Sequence, residues 1–523
     1  MQKSSYLSNV SNLLHIIPAT WKWSISSEVC SSVRDGTHDT PKYVTNGLPL
    51  ITSKNLKEYG IDFLTARNIS IQDYEKISIR SGVDRGDVLL AMIGTIGNPV
   101  VVNIERKFAI KNVALFKKNE DIIFSKFLCY WLESPLFKKL LEAKYIRGTT
   151  QKFIPLQNLR ILPIPLPPFN EQKRIVTKLE ELLTKLDAGI EYLKKTKILL
   201  KQYRQSILKH AFEGKLTEEW RKGNTNLNEE TTQLLHKIQN EQKSILQNNK
   251  EIQLQSIKSL IQQERPILPQ SWKYVHIGDI CSRIESGSTP LRSNSSNFDE
   301  NGILFIKVEN ILKNGKIVLK DKQLRIHPKI HEKNCRSKVY PGDILMNIVG
   351  PPLGKIGFVT SEIKEANINQ AIVLMRSVKD YNPKIILYCL LSPSYYKLMV
   401  RISTGVRQSN IRKSHVQRIL VPLMSIKEQE IIIDTIEKIL SIVDKSESTV
   451  SLALERGSKF RQTILQYAFE GKLVSQDRND EPAEILLERI KRERESTIPI
   501  KKENSKITKR NSIDKNSRQM RLM

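Results

Sequence analysis

The residue groups that come nearest to catalytic spacing in this chain each lack a piece of the chemistry they would need. Gly350-Pro-Pro-Leu-Gly354-Lys355-Ile356 looks like a phosphate loop. It misses the G-x-x-x-x-G-K-[ST] spacing and the magnesium-binding hydroxyl, and its two prolines remove N–H groups that would cradle phosphate. It reads as a turn between strands. Asn98-Pro99-Val100 is not the N-P-P-[FY] loop with which an amino-methyltransferase holds a flipped base. His327, His331 and Cys335 are spaced to share a helix face as metal ligands. The stretch that aligns with them, Ile71 to Ile79, has neither histidine nor cysteine, so they read as surface residues. The five cysteines, Cys30, Cys129, Cys281, Cys335 and Cys389, form no C-x-x-C pair and support neither a disulfide framework nor a zinc site. The remaining chemistry is recognition. Arg407 next to Gln408 ranks first, because arginine forks onto guanine and glutamine onto adenine.

The charge agrees with recognition of a polyanion. Lys+Arg 84 against Asp+Glu 55 gives a formal net charge of +29 and a pI near 9.7, a field that draws nucleic acid. A membrane is the other polyanionic surface, but no apolar run approaches the roughly 18 residues of a spanning helix and the N-terminus carries none of signal-peptide length. A cytoplasmic protein is expected.

Those recognition residues are carried by a duplicated frame. AFEGKL stands at Ala211 to Leu216 and again at Ala468 to Leu473, 257 residues on. Glu171-Gln172 recurs as Glu428-Gln429, Asp187 as Asp444 and Arg204-Gln205 as Arg461-Gln462, all at that offset. A looser correspondence precedes each of these stretches. Pro18-Ala-Thr-Trp21-Lys22-Trp23 matches Pro269-Gln-Ser-Trp272-Lys273-Tyr274, Gly36 to Pro41 matches Gly287 to Pro290, and Gly47 to Asn55 matches Gly302 to Asn310. Gly86-Asp87 matches Gly342-Asp343, and Gly148 to Gln151 matches Gly405 to Gln408. Polar residues at these shared landmarks are the candidate DNA contacts. In the first copy they are Thr37, His38, Lys42, Lys54, Asn55, Arg147, Thr150, Gln151 and Lys152. In the second they are Thr289, Arg292, Lys307, Asn310, Arg407, Gln408, Ser409 and Asn410.

Short β-rich runs (Asp87 to Met92, Asn98 to Asn103, Ile110 to Phe116; Asp343 to Ile348, Gly357 to Thr360, Ala371 to Arg376) predict a mixed α/β or mostly β unit in each copy. Proline clusters, Pro163 to Pro168 and Pro422, end each unit before a long helix. Ile175, Leu179, Leu182, Leu186, Ile190, Leu193, Leu200, Tyr203 and Ile207 form one stripe, and Ile432, Ile436, Ile439, Val443, Val450, Leu454 and Ile464 the other. A helix from Asn170 to Glu213 would reach about 66 Å at roughly 1.5 Å per residue, longer than a single domain needs, so each helix is expected to pair with its copy. Arg204, Phe212, Arg461 and Phe469, at or near the helix ends, are the candidate partner-binding residues. The boundaries read as tail 1–17, recognition unit 18–167, helix 168–216, polar connector 217–267, recognition unit 268–424, helix 425–473 and basic tail 474–523.

Two variable units, each opening with P-x-x-W-K-[WY], passing a Gly-Asp turn and followed by a P-x-x-x-x-E-Q helix that ends R-Q-[ST]-I-L-x-x-A-F-E-G-K-L, resemble the specificity subunit of type I restriction-modification enzymes. The resemblance runs from about Pro18 to Glu495. It implies two β-rich target-recognition domains related by a pseudo-two-fold, each reading half of a bipartite double-stranded DNA site, held apart by an antiparallel coiled coil. It also implies a non-catalytic subunit without cofactors of its own, since S-adenosylmethionine, ATP and magnesium belong to partners. Those partners would be two copies of a DNA adenine methyltransferase subunit and a restriction/translocase subunit. A stand-alone bipartite nucleic-acid-binding adaptor would show the same charge and duplication.

Overall fold

The structure, a computed structural model, describes residues 10–58, 60–248, 267–291, 295–350, 353–403 and 410–497. The chain divides into two compact units, residues 1–192 with 453–523, and residues 193–452.

In the first unit, strands Val33–Asp35, Val113–Phe116, Val88–Ala91 and Gly97–Val101 lie in that order in an antiparallel sheet. A second sheet runs Ala109–Lys111, Leu48–Thr52, Arg67–Ile69, Tyr43–Val44, with its first pair parallel. The apolar run from Ile110 to Phe116 is therefore two strands in two sheets rather than one. Asn112 separates them at φ +54°, a left-handed conformation that asparagine tolerates better than β-branched neighbours do. Apolar periodicity does not register such a corner. Helices Ser125–Glu133 and Pro135–Leu140 cover the antiparallel sheet and bury Phe127, Trp131 and Phe137.

The second unit repeats the plan. Cys281–Ser286, Ile372–Ser377, Ile344–Asn347 and Ile356–Phe358 make the antiparallel sheet. Arg325–Ile326, Phe298–Ile306, Ala366–Ile368 and Lys338–Val339 make the mixed one, again with one parallel pair. The Gly-Asp turn explains its own recurrence. Gly86 and Gly342 sit at φ +95° and +92°, where a side chain is strained. The buried Asp87 and Asp343 accept from the backbone N–H of Asp84 and Tyr340 at 2.7 and 2.8 Å. Each aspartate is neutralised by a cation, Lys117 just past the neighbouring strand at 2.7 Å or Arg376 within it at 2.7 Å.

Both long helices form, Phe169–Phe212 and Ile426–Phe469, 44 residues each. Each unit holds the beginning of one and the end of the other, packed antiparallel. In the first, Arg461 Nη1 meets Asp187 at 3.0 Å and Gly457 lies against Ile190. In the second, Arg204 pairs with Asp444, and Lys197 donates to Ser451 at 3.3 Å. Position for position these are the same ion pair with the two helices exchanged, as the offset of 257 requires for an antiparallel pair. Burial acts to raise the Asp444 carboxyl, but hydrogen bonds from Lys316 and Arg204 outweigh it and hold the group below the usual range.

Two recurring motifs meet each other. Trp21 Nε1 donates to Glu171 at 3.0 Å, and Trp272 Nε1 to Glu428 at 2.9 Å. A Cβ added at Gly471, at φ +70°, would fall 2.3 Å from the Pro18 ring, and one at Gly214, at φ +75°, 2.4 Å from that of Pro269. The helix-end glycine thus allows close approach as well as a left-handed cap. In each unit the opening P-x-x-W of one copy seats the AFEGKL end of the other.

The segments that flank the recognition units and long helices pack onto the two cores. Residues 10–17 are not a loose tail: Val10 is buried and His15 Nε2 contacts the Phe469 carbonyl at 2.6 Å. The polar connector folds as Glu218–Lys222 and Leu227–Asn248, burying Leu227, Leu234 and Ile238 on the second unit. The C-terminal region through Thr497 folds likewise, with helix Ala483–Thr497 burying Ala483 and Leu486 and Arg174 pairing with Asp480 at 2.8 Å. Few apolar side chains suffice where each lands on an existing core.

Candidate nucleic-acid interface

The landmark loops surround the sheets, and glycines set how closely they approach. A Cβ at Gly36 would lie 2.2 Å from the Ile110 carbonyl oxygen, and one at Gly287 2.2 Å from that of Asn369. A Cβ added at Gly47 or Gly302 would fall 2.1 or 2.2 Å from the carbonyl oxygen of Ile69 or Ile326. Only glycine lets the chain pass there, which delivers the next residues to the surface. Thr37 bridges Lys111, and His38 is held between Asp35 Oδ2 at 3.0 Å and Asn112 Oδ1 at 2.9 Å. Thr289 donates to Gln370 at the corresponding place in the second unit.

The loop after Tyr145 closes with a reciprocal backbone pair, Arg147 to Phe153 and back, each 2.9 Å, around Gly148 at φ +89°. Its tip exposes Arg147, Thr150, Gln151 and Lys152. Ile93 bridges Phe153 just beyond strand Val88–Ala91. In the second unit Asn410, exposed, bridges Val349 just beyond Ile344–Asn347, so the two loops dock at equivalent strand ends. Arg292, Arg407, Gln408 and Ser409 lie outside the described residues. Lys42, Lys54, Arg147 and Lys152 are exposed, and no carboxylate among the described residues pairs with them. They can meet phosphate without breaking an internal ion pair. Lys307 is half-buried.

Two candidates face inward. Asn55 is buried, accepts from Thr52 N at 3.0 Å and donates to the Asp62 carbonyl at 3.2 Å. Asn310 is buried too, accepting from Lys307 N at 2.9 Å and donating to the Val318 carbonyl at 2.9 Å. Each asparagine braces its own loop, and its recurrence reflects that brace rather than an edge offered to a base.

The partner-binding candidates need a similar correction. Phe469 is fully buried, 5.2 Å from the rings of both Phe127 and Trp131, and Phe212 is buried in the core of the second unit. Arg204 and Arg461 serve the helix ion pairs. Aromatic residues beside a capped helix end look in sequence like a docking tip, but here the chain's own units occupy them. The large apolar side chains exposed on the long helices are others: Tyr192, Phe460 and Tyr467 in the first unit, and Ile198, Leu199, Tyr203, Ile426, Ile442 and Leu452 in the second. Most of these lie off the apolar stripes, a signal available in the sequence; Tyr203 lies on its stripe and is nevertheless half exposed.

The motifs weak in catalysis have structural uses. Lys355 Nζ donates to the Val308 carbonyl at 3.2 Å, and Asn98 Nδ2 to that of Leu56 at 3.1 Å. His327 caps its helix while His331 is buried against Asn367 and 2.9 Å from Glu365, and the three candidate ligands do not converge. Among the described residues no single helix is long and apolar enough to cross a membrane.

Comparison with known proteins matches this geometry. The type I restriction modification DNA specificity domain matches twice, at residues 29–202 and 269–456. The EcoBI specificity subunit of Escherichia coli is 27% identical over 87% of this chain and 91% of its own length. The EcoKI specificity subunit of Escherichia coli strain K12 is 24% identical over 91% and 96%. A chain from a solved structure concerning complex assembly and conformational transition of the type I restriction-modification system superposes with TM-score 0.61 at 17% identity, covering 88% of this chain and all of that one. Two matched domains spanning more than half of the sequence, on a frame built twice, place this chain in the family of type I restriction-modification DNA specificity subunits, which recognise DNA and are not themselves catalytic.

Proposed function

We propose that each unit reads one half of a bipartite double-stranded DNA site through the loops at Gly36–Lys42, Lys54, and Arg147–Lys152, and through their counterparts around Thr289, Lys307 and Asn410. The observation that carries this is a loop set built twice on one frame with different side chains at its tips, which suits two readers of different sequences. Side chains at base edges supply specificity, and the exposed lysines and arginines supply affinity through phosphate. The exposed Tyr192, Phe460, Tyr467, Ile198, Leu199 and Tyr203 dock two DNA adenine methyltransferase subunits, and the assembly takes up the restriction/translocase subunit. The chain works in the cytoplasm, where it directs modification by its partners.

The test is to co-express the chain with its methyltransferase partner and map methylated adenines. A two-part motif with a fixed gap is expected. Replacing residues 18–165 with the equivalent unit of another specificity subunit should change one part alone. A motif without two parts, or one in which both parts change, refutes the reading. The chain by itself should bind DNA with steep salt dependence and neither methylate nor cut it.

A further inference from the structure

Arg80-Ser81-Gly-Val83 and Arg336-Ser337-Lys-Val339 stand at the same distance before Gly86-Asp87 and Gly342-Asp343. Both serines are buried and bonded to backbone carbonyls, Ser81 to Ile77 and Ser337 to Asn334, while both arginines are exposed. In each unit an arginine of the opening strand also grips this place by its backbone, Arg34 at the Arg80 carbonyl and Arg283 at the Cys335 carbonyl. The backbone is fixed twice over, and the arginine side chain is turned to solvent.

The first unit adds a device of its own. The Asp35 carboxylate, 3% exposed, accepts from Arg80 Nη2 and from His38 Nε2, whose side chains are 57% and 56% exposed. His38 continues to Asn112, whose carbonyl takes Ser53 Oγ at 3.1 Å beside Lys54, and Lys111 reaches Thr40. Arg80 therefore shares one hydrogen-bonded network with His38, and Lys54 and Lys111 adjoin it in sequence at Ser53 and Asn112. A buried carboxylate is costly unless paired. Here its pairing fixes a guanidinium by one nitrogen and leaves the rest of the planar fork free, the pre-organised form in which arginine recognises a guanine edge. Ser286 occupies the place of Asp35 in the second unit, so Arg336 meets no carboxylate at that position.

We propose that Arg80 reads a guanine in the half-site of the first unit, and that Asp35 is a positioning residue holding Arg80 and His38 in place for it. This rests on the DNA-reading role proposed above. Methylated-adenine maps of the complete assembly would be compared for the unaltered chain, Arg80→Gln, Arg80→Lys and Asp35→Asn. Both Arg80 variants should relax one base position in one half-site, on the order of tenfold, and leave the other half-site intact. Lysine keeps the charge but cannot fork, so it should not rescue. Asp35→Asn should relax that same position. An unchanged motif in Arg80→Lys overturns the proposal, and so does uniform weakening on all sequences with a shallower salt dependence, which marks a phosphate contact. Relaxation by Arg80 variants without any in a folded Asp35→Asn overturns the positioning role. If the unaltered chain gives no two-part motif, the DNA-reading role itself fails, a separate result. Should Asp35→Asn not fold, the exposed Arg80 variants still decide.

Discussion

The two glutamates at the start of the long helices hold the same place in the duplication but different surroundings, so one substitution should cost the two units unequally. Glu428 is buried and accepts three side-chain hydrogen bonds: Thr217 Oγ1 at 2.7 Å and Arg221 Nη1 at 2.7 Å on one oxygen, Trp272 Nε1 at 2.9 Å on the other. In Glu428→Gln one oxygen becomes an NH2 group facing donors, whichever way the amide turns, and the mostly buried Arg221 loses its counter-charge. Breaking a buried pair from one side costs about 3 kcal/mol or more. Glu171 accepts one such bond, from Trp21 at 3.0 Å. Burial pushes its carboxyl above the usual range despite that bond and Arg174, so the charge is poorly compensated. A glutamine can still accept from Trp21, and Glu171→Gln should cost about 1 kcal/mol or less.

A gap of about 2 kcal/mol is roughly thirtyfold in an opening equilibrium. Native-state hydrogen exchange reads each unit separately, at the amides of Lys22–Ile25 and Lys273–His276, and avoids treating two units as one transition. Glu428→Gln should speed exchange in Lys273–His276 by about that factor more than Glu171→Gln speeds it in Lys22–Ile25. Equal effects, or a larger one at Glu171, would refute the accounting by hydrogen bonds. Acid supplies the same contrast. A raised folded pKa means that the Glu171 contribution is present below its unfolded value near 4.5 and is lost as pH rises through the folded one. The lowered Asp444 contributes above its unfolded value near 3.8 and loses that as pH falls through the folded one. As pH falls through this range, the first unit gains from Glu171 and the second loses from Asp444.

Gly189→Ala should stabilise the protein by up to about 1 kcal/mol, because apart from the adjoining helix backbone no atom of the described residues lies within 4 Å of the added Cβ; a thermal melt checks it. Gly36→Ala should displace the Thr37–His38 loop against the Ile110 carbonyl and abolish the first half-site alone, read by methylation mapping. Lys54→Ala should leave stability within about 0.5 kcal/mol and lower the salt-dependence slope of DNA binding by about 0.9. Its neighbour Asn55→Ala should instead cost about 1–3 kcal/mol through stranded backbone groups. Phe212→Ala should unfold the second unit at a cost of about 3–5 kcal/mol, whereas Ile198→Ala with Tyr203→Ala should leave folding intact and reduce methyltransferase co-purification.

The frame was legible because its landmarks recur. The offset of 257 located both helices, and Gly36, Gly86 and their counterparts marked turns whose φ or close approach admits little else. What those recurrences meant was less legible. Asn55 and Asn310 recur as loop braces, and Phe212 and Phe469 recur because each fills a core. A polar or aromatic residue kept in both copies reads the same in sequence whether it faces solvent or protein. The corner at Asn112 was missed for a related reason, since apolar runs on either side of one tolerated asparagine look like a single strand.

The recurrences also carry a constraint that a list of them does not show. Pro18 and Trp21 belong to the first copy, but the glycine seated on Pro18 is Gly471, of the second; Gly214 and Pro269 make the reverse exchange. Arg461 with Asp187 and Arg204 with Asp444 cross between copies in the same way. Each exchanged contact has one member in either copy, so neither copy can change at these positions by itself. Change on one side alone leaves one of the two pairings broken, as an overpacked glycine or an unpaired aspartate. The loop tips carry no such obligation. Arg147 to Lys152 are tied through backbone groups, Arg147 with Phe153 and the Lys152 carbonyl with Gly94 N, so on the proposed reading their side chains can change while the exchanged motifs stay matched.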